Sequence, residues 1–514
     1  MRDSILLGFA TGMFILLMAG FALASDGGES VAVYTVADTT GDWGFPSPYA
    51  HYSRGPGYTR MSFIFDTLIW KDDSGYVPAL AEDWEIEGDD IYVFYLRDGI
   101  TWHDGEEFDA NDVVFTIDYI KDHPYQWVDS SIIESAKALD DHTVKITLSA
   151  PYAPFLDQVA GTLPILPEHI WDDVDDPMSF KDQEALIGTG PYTFDIDDYD
   201  KVQGTYRYQA NEDYYLGAPK VKELIFVKIT EPSAAAQLIQ GYVNTAGIQP
   251  EMIDQLKDDF VILSVPSHWW NYKLMINHQK EPMSDKRFRQ ALAYAIDREN
   301  LVNIAGRGYG LAGSPGFIPS DHSWYNDDIN DFYPHDPAKA GDLLENMGYD
   351  GQEIELLVKG GRAIEERIGE LIKVDLESVG INVDLRTMDS KTVDSKVGEW
   401  DFDLALSGHG GLIGDPNFLA RNTIDMDSFN SARYDENAEL TDLLEEQVTE
   451  TDEYDRGELV DQAQVLYAED VPALSLYYTE AFVAHDDQVD LYYTYNGMAL
   501  GIPIALNKLS FVGV

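Results

Sequence analysis

The sequence predicts a multidomain α/β protein, and three observations carry that expectation. The chain has 514 residues, 45% of them apolar, enough for two or three separate cores. Its second half alternates helical and strand periodicities, the pattern of strands covered by helices. Its first half holds a compact strand–turn–helix segment between Tyr76 and Asp118.

That segment reads YVPALAEDWEIEGDDIYVFYLRDGITWHDGEEFDANDVVFTID. Ile91 to Leu96 is too short for an ordinary helix and too rich in Ile, Tyr, Val and Phe for a loop, so it is predicted to be a buried strand. Arg97, Asp98 and Gly99 end it. Trp102 to Gly105, WHDG, makes a tight turn in which His103 is a turn residue. Asp109 is placed to cap a helix carrying Val113, Val114 and Ile117.

Before this segment, Val31 to Val36 is predicted to be a strand, followed by a loop rich in Gly, Pro and aromatics to about Tyr58. After it come a strand at Thr143 to Leu148, a part broken by Pro151, Pro154, Pro164 and Pro167, and strands near Tyr192 to Phe194 and Thr205 to Ala210. In the second half, Ser284 is predicted to cap a helix whose Phe288, Ala291, Leu292, Ala295 and Ile296 share one face. Asp336 caps the next, with Pro337 in its first turn and Gly348 at its end. A third runs from about Ala363 to Val379 and gives way to a strand at Ile381 to Leu385. Phe402, Leu404 and Leu406 mark another strand. A last helix, Arg456 to Asp470, precedes Pro472 and a strand at Leu474 to Tyr478.

Charge narrows the possible partners. The chain has 34 basic and 92 acidic residues, a formal charge of −58. Nucleic acid and anionic membrane both need a basic face and are therefore poor partners. The acids are scattered along the chain, a pattern suited to strong salt, where charge repulsion is screened to about 3 Å at 1 M; a moderately acidic secreted protein in ordinary medium is the alternative. With no cysteine there is no disulfide, thiolate metal site or cysteine nucleophile.

The N-terminus points outside the cell. Met1 and Arg2 precede an apolar stretch from Ile5 to Ala24, and Ala22-Leu23-Ala24 offers small residues for a signal peptidase. Cleavage would leave a mature chain starting near Ser25. The stretch is also long enough for an uncleaved anchor, since about 20 helical residues span a bilayer.

Chemical motifs are sparse. Gly308 to Gly313 matches a dinucleotide fingerprint in letters, but it follows a helix where a strand is required, so a flexible loop is expected. No phosphate-binding G-x-x-x-x-G-K-S/T, His-Glu-x-x-His or Gly-x-Ser-x-Gly occurs. Asp195, Asp197, Asp198 and Asp200 lack calcium-loop spacing and are expected to form a solvated hairpin. No catalytic residue, metal ligand or cofactor is assigned. A secreted acidic hydrolase with two carboxylates is the rival of another class, but 92 acids make any pair nominable.

The segment Tyr76 to Asp118, the GTGPY phrase at Gly188 to Tyr192, the phrase with Asn211, Glu212, Tyr214, Gly217 and Pro219, and the KRFRQALAYAIDRENLV phrase resemble, in this order, the family 5 extracellular solute-binding proteins. These are oligopeptide-, dipeptide- and nickel-binding receptors of ABC importers. The resemblance implies a two-lobed periplasmic-binding-protein-like fold (class II, large cluster C type) with an extra α+β domain. It implies a first lobe from residues 26–60, 182–270 and 480–514, an extra domain from 61–181, and a second lobe from 271–479. It further implies a receptor, not an enzyme, that hands a small solute (peptide, sugar or metal chelate) to a permease and its ATPase subunits. The receptor is expected to be a monomer at the outer face of the membrane.

In α/β lobes, ligands gather beyond the carboxyl ends of strands. Three loops fit: Asp42-Trp43-Gly44-Phe45; His268-Trp269-Trp270-Asn271; and Ser407 to Pro416, with His409 and Asp415. Arg362, opening a helix after the strand Ile354 to Val358, could face the same cleft. Trp and Phe would supply rigid apolar walls, although Trp269 and Trp270 could equally pack a hinge. Asp415 has a rival role as a turn residue before Pro416. Peptide-binding members place a carboxylate four residues before this proline to anchor a peptide's amino terminus; that position is Leu412 here. Arg362 resembles the arginine that holds a dipeptide carboxylate. Sugar would suit the aromatic loops, and a nickel chelate would suit His409.

Overall fold

Two long strands, Val261–Ile276 and Ala473–His485, organise this computed structural model, which describes residues 30–39, 41–72, 74–492, 494 and 506–512. The apolar stretch Ile5 to Ala24 lies outside the described residues. The two strands pair antiparallel from Val261 with His485 to Met275 with Ala473, and their register shifts between Val265 and Trp270.

They join two half-sheets into one 11-stranded sheet. On one side, Thr245–Ile248, Val31–Asp38, Val221–Lys228, Thr205–Ala210 and Tyr192–Asp200 follow in order. On the other, Leu404–His409, Ile354–Lys359 and Val383–Met388 follow, with parallel pairs among the last three. Each half has its own core. Tyr34, Val36, Phe63, Tyr192 and Phe226 lie in one; Leu274, Phe288, Leu356, Ile372 and Leu404 lie in the other.

The segment 61–181 carries a four-stranded antiparallel sheet, Ala81–Glu87, Ile91–Leu96, Thr143–Leu148 and Ile133–Asp140 in spatial order. The helix Ala110–Asp122 packs on it. Asp109 caps that helix by accepting from Asn111 N (2.7 Å), and Asp112 reaches back to the Asp109 N–H (3.1 Å), a reciprocal capping box. Asp112 also accepts from Trp102 Nε1 (3.2 Å) and Glu168 N (2.9 Å), which ties the WHDG turn to its helix. His103 does more than turn the chain: its Nε2–H donates to Gly190 O (3.0 Å) and its Nδ1 accepts from Gly188 N (3.3 Å). WHDG and GTGPY are thus one docked unit. A Cβ on Gly188 would lie 2.1 Å from Ile64 O, so only glycine lets GTGPY lie against the backbone at Ile64.

Several expectations move. The cap of helix Lys286–Ala295 is Asp285, whose Oδ1 accepts from Arg287 N (2.8 Å), one residue beyond Ser284. The strand near Ile381 begins at Val383. Leu311–Ala312 pairs with Tyr477 and Tyr478, so the end of the Gly308 to Gly313 stretch is part of the sheet rather than a flexible loop. The strand expected at Leu474 to Tyr478 runs on to His485. Among the described residues no helix is long and apolar enough to cross a membrane.

Candidate binding site

Residues 41–45 follow the carboxyl end of Val31–Asp38, as the loop rule requires. Asp42 organises them. Its Oδ1 accepts from Tyr199 (2.5 Å), Tyr206 (3.3 Å) and Gly44 N (3.0 Å), and its Oδ2 from Tyr52 (3.0 Å). Burial pushes this carboxyl's pKa up, but the donors from Tyr199, Gly44, Tyr52 and Tyr206 together outweigh it and the net shift is down. Trp43 donates Nε1–H to Asp38 Oδ2 (2.9 Å), which also pairs with Arg60 (2.5 Å). Phe45 is buried edge-on against Tyr199 (5.9 Å). Asp42 and Phe45 therefore fix the loop, and Trp43 remains partly buried at its surface.

The second expected loop is a strand. Trp270 and Asn271 lie within Val261–Ile276, and the side chain of Trp269 lies outside the described residues. The signal missed was the strand's second half, where Asn271 and Lys273 break the apolar alternation although both are buried. Successive residues face opposite sides of the sheet. Trp270 thus shares a face with Tyr272 (6.4 Å between rings) and lies across Gly408, whose added Cβ would be 2.7 Å from Trp270 Nε1.

The other face is polar and closed. Asn271 pairs with His409 and Lys273 with Ser407, so these four side chains stand together. Phe317 covers them: its ring stacks on His409 (6.3 Å, 20°), and the Lys273 ammonium sits 5.2 Å from its centre. Phe317 holds a left-handed backbone (φ 74°), an unfavourable conformation for a side chain of its size. Lys273, 0% exposed, donates to Asn430 O and to Asn422 Oδ1 (3.5 Å). Burial brings its pKa down to about 7. His409, 6% exposed, donates Nδ1–H to Gly410 O (2.8 Å). Burial, then Lys273, then Arg421 hold its pKa well below the ordinary histidine value. It is therefore neutral, and its Nε2 carries a lone pair with no partner among the described residues.

Residues 410–416 form the third loop, and Asp415 takes its structural role. It accepts from Asn417 N (2.9 Å) as a turn residue and pairs with both terminal nitrogens of Arg456 (2.7 and 2.8 Å). Leu412 is fully buried against Phe317 and Phe418. Arg362 is half-exposed, pairs with Glu365 (2.9 Å), and precedes helix Ala363–Ser378. It lies toward the Trp270–Tyr272 face, since its charge acts on Tyr272.

Sequence reasoning missed the charges where 61–181 meets the second half. Lys71 and Asp157 pair at 2.5 Å, fully buried. Arg421, on helix Phe418–Thr423, is half-buried, and Tyr152, Asp157 and Asp415 act on its charge. Ala153 N donates to Val448 O (2.8 Å) and Thr451 to Asp89 (3.2 Å) across the same boundary. Single charged residues among so many acids carry no spacing signal. Asp195 and Asp200 spend their oxygens on local turn N–H groups, and no group of three or more His, Asp or Glu residues among the described ones is arranged to hold a metal.

The fold and its phrases agree with known proteins. The model of bacterial extracellular solute-binding proteins, family 5 Middle, matches residues 75–428. The dipeptide-binding protein of Escherichia coli is 30% identical over 445 residues, covering 79% of this chain and 81% of its own. Heme-binding protein A of Haemophilus influenzae is 28% identical over 478 residues, covering 85% and 86%. The crystal structure of the ABC transporter substrate-binding protein CtaP from Listeria monocytogenes superposes with a TM-score of 0.79 at 26% identity, over 90% of this chain and 96% of that one. The fold is the two-lobed fold of the periplasmic binding proteins. The chain belongs to family 5 of the bacterial extracellular solute-binding proteins.

Proposed function

We propose that this protein is an exported receptor that encloses a small peptide-like solute between its lobes and presents it unchanged to an ABC-type import permease. The observation that carries the reading is the pair of strands Val261–Ile276 and Ala473–His485, which link two separately cored halves and shift register between Val265 and Trp270 and again between Tyr272 and Lys273. Hinge motion needs a few residues that absorb the bend while both bodies stay rigid. Family membership and the similarity to a dipeptide-binding protein support a peptide-like solute. In this reading the first lobe is 26–60, 182–270 and 480–514, the extra domain 61–181, and the second lobe 271–479. Trp43, Trp270 and Arg362 border the cleft. The protein works as a monomer, performs no chemistry on its cargo, and is held outside the cell after cleavage near Ser25 or by an uncleaved N-terminal anchor.

Calorimetric titration with a dipeptide library, followed by mass analysis of the recovered solute, tests this. We expect saturable binding with one site and recovery of the solute intact. Turnover of the peptides, or no binding across the library, would remove the reading.

A further inference from the structure

We propose that the 61–181 segment is the surface on which the second half closes, a polar latch formed when the solute is enclosed and parted when it is released. This closure rests on the hinged-receptor reading above and specifies where the moving halves meet.

The segment belongs to the body of the first lobe. One apolar core runs from Tyr34 and Phe226 through Trp70 to Phe94 and Ile117, so the segment and that lobe are packed as a single unit. The clusters of the second half, around Leu274 and around Phe317, include no residue of 61–181 among the described ones. A boundary within one chain that shares no apolar core is free to part, because the polar contacts across it exchange for water at little net cost.

Polar groups cross this boundary. Helix Ala438–Thr449 ends there, and its last carbonyls lack partners within the helix. Ala153 N–H donates to one of them, Val448 O (2.8 Å). Just beyond the helix, Thr451 donates to Asp89 (3.2 Å). Charge is matched as well: Asp157 of the segment, paired with Lys71 (2.5 Å), also attracts Arg421 of the second half. The helix of Arg421, Phe418–Thr423, follows the loop 410–416, and Asp415 of that loop acts on both Tyr152 and Asp157. A solute seated on this loop and the latch therefore act on the same piece of chain.

The chain has no cysteine, so pairs introduced at the boundary report on it alone. Two full-length variants carry Ala153→Cys with Val448→Cys, and Asp89→Cys with Thr451→Cys. Each is oxidised mildly with and without a dipeptide library, and crosslinking is followed on non-reducing gels. We expect the library to raise the crosslinking rate about tenfold, and the oxidised form to release bound dipeptides about tenfold more slowly than the reduced form. Hydrogen exchange at Ala153 in the wild type should slow when the library is present, and it decides alone if melting curves show that neither variant folds. Calorimetry on the same samples establishes binding independently. With binding present, an unchanged crosslinking rate in the pairs that fold, or unchanged exchange at Ala153, would overturn the latch and leave the receptor reading standing. Crosslinking as fast without dipeptides as with them marks a permanent contact and has the same consequence. Binding of no dipeptide would remove both.

Discussion

Arg456 holds Asp415 with both terminal nitrogens at 2.7 and 2.8 Å and donates Nε–H to Gln447 O at 2.8 Å. Removing one member of such a buried pair strands the other, which costs about 3–5 kcal/mol. Arg456→Met should therefore lower the free energy of unfolding in urea by that amount, and Asp415→Leu added to it should recover part of the loss. Independent, additive effects would show that the pair is not coupled. Lys273 gives a pH signature. Its folded pKa of about 7 lies below the ordinary lysine value. From pH 7 to about 10 the unfolded chain binds more protons at this residue than the fold does, so stability rises with pH through that window. Lys273→Met should remove this contribution and flatten the profile; an unchanged slope would count against a buried, proton-shedding lysine.

Among the elements, the tight contact of Leu311–Ala312 with the long strand depends on Gly313, where a Cβ would stand 1.9 Å from Ser475 O. Gly313→Ala should cost about 1–3 kcal/mol through forced separation. Gly457, inside helix Glu453–Asp470, has nothing within 4 Å of an added Cβ. Gly457→Ala should instead stabilise by about 0.4–1 kcal/mol; chemical denaturation of the two variants measures both signs. The same elements show what a sequence reveals. Ile91–Leu96, Thr143–Leu148 and Thr205–Ala210 were legible to the residue because dense or alternating apolar runs end at clear turns. Asp109 and Asp336 were legible as caps because the cap is a local interaction. The two crossing strands were only half legible. Pro266 to His268 interrupts one and Thr479-Glu480 the other, and buried Asn271 and Lys273 look like surface residues until the neighbouring strand and Phe317 cover them. The aromatic loop 41–45 lies where expected, after the strand Val31–Asp38. Trp270, Asn271 and His409 were expected in loops but lie in strands, and the sheet that divides Trp270 from the other two is set by long-range pairing. Arg421 and Asp157 were missed because nothing local marks one charge among many.

At the scale of the molecule, the account is of two bodies on one hinge. The cores are separate, the strands between them slip register between Val265 and Trp270 and between Tyr272 and Lys273, and the 61–181 segment touches the second half through Ala153–Val448 and Asp89–Thr451. A solute that prefers the enclosed state can only shift the balance by its differential affinity for that state. Small-angle X-ray scattering of the protein, with and without a saturating peptide-like solute identified by titration, tests the central claim most directly. The account predicts a smaller radius of gyration with solute bound, at constant mass. An identical radius in both states, with binding confirmed in the same sample, would contradict it.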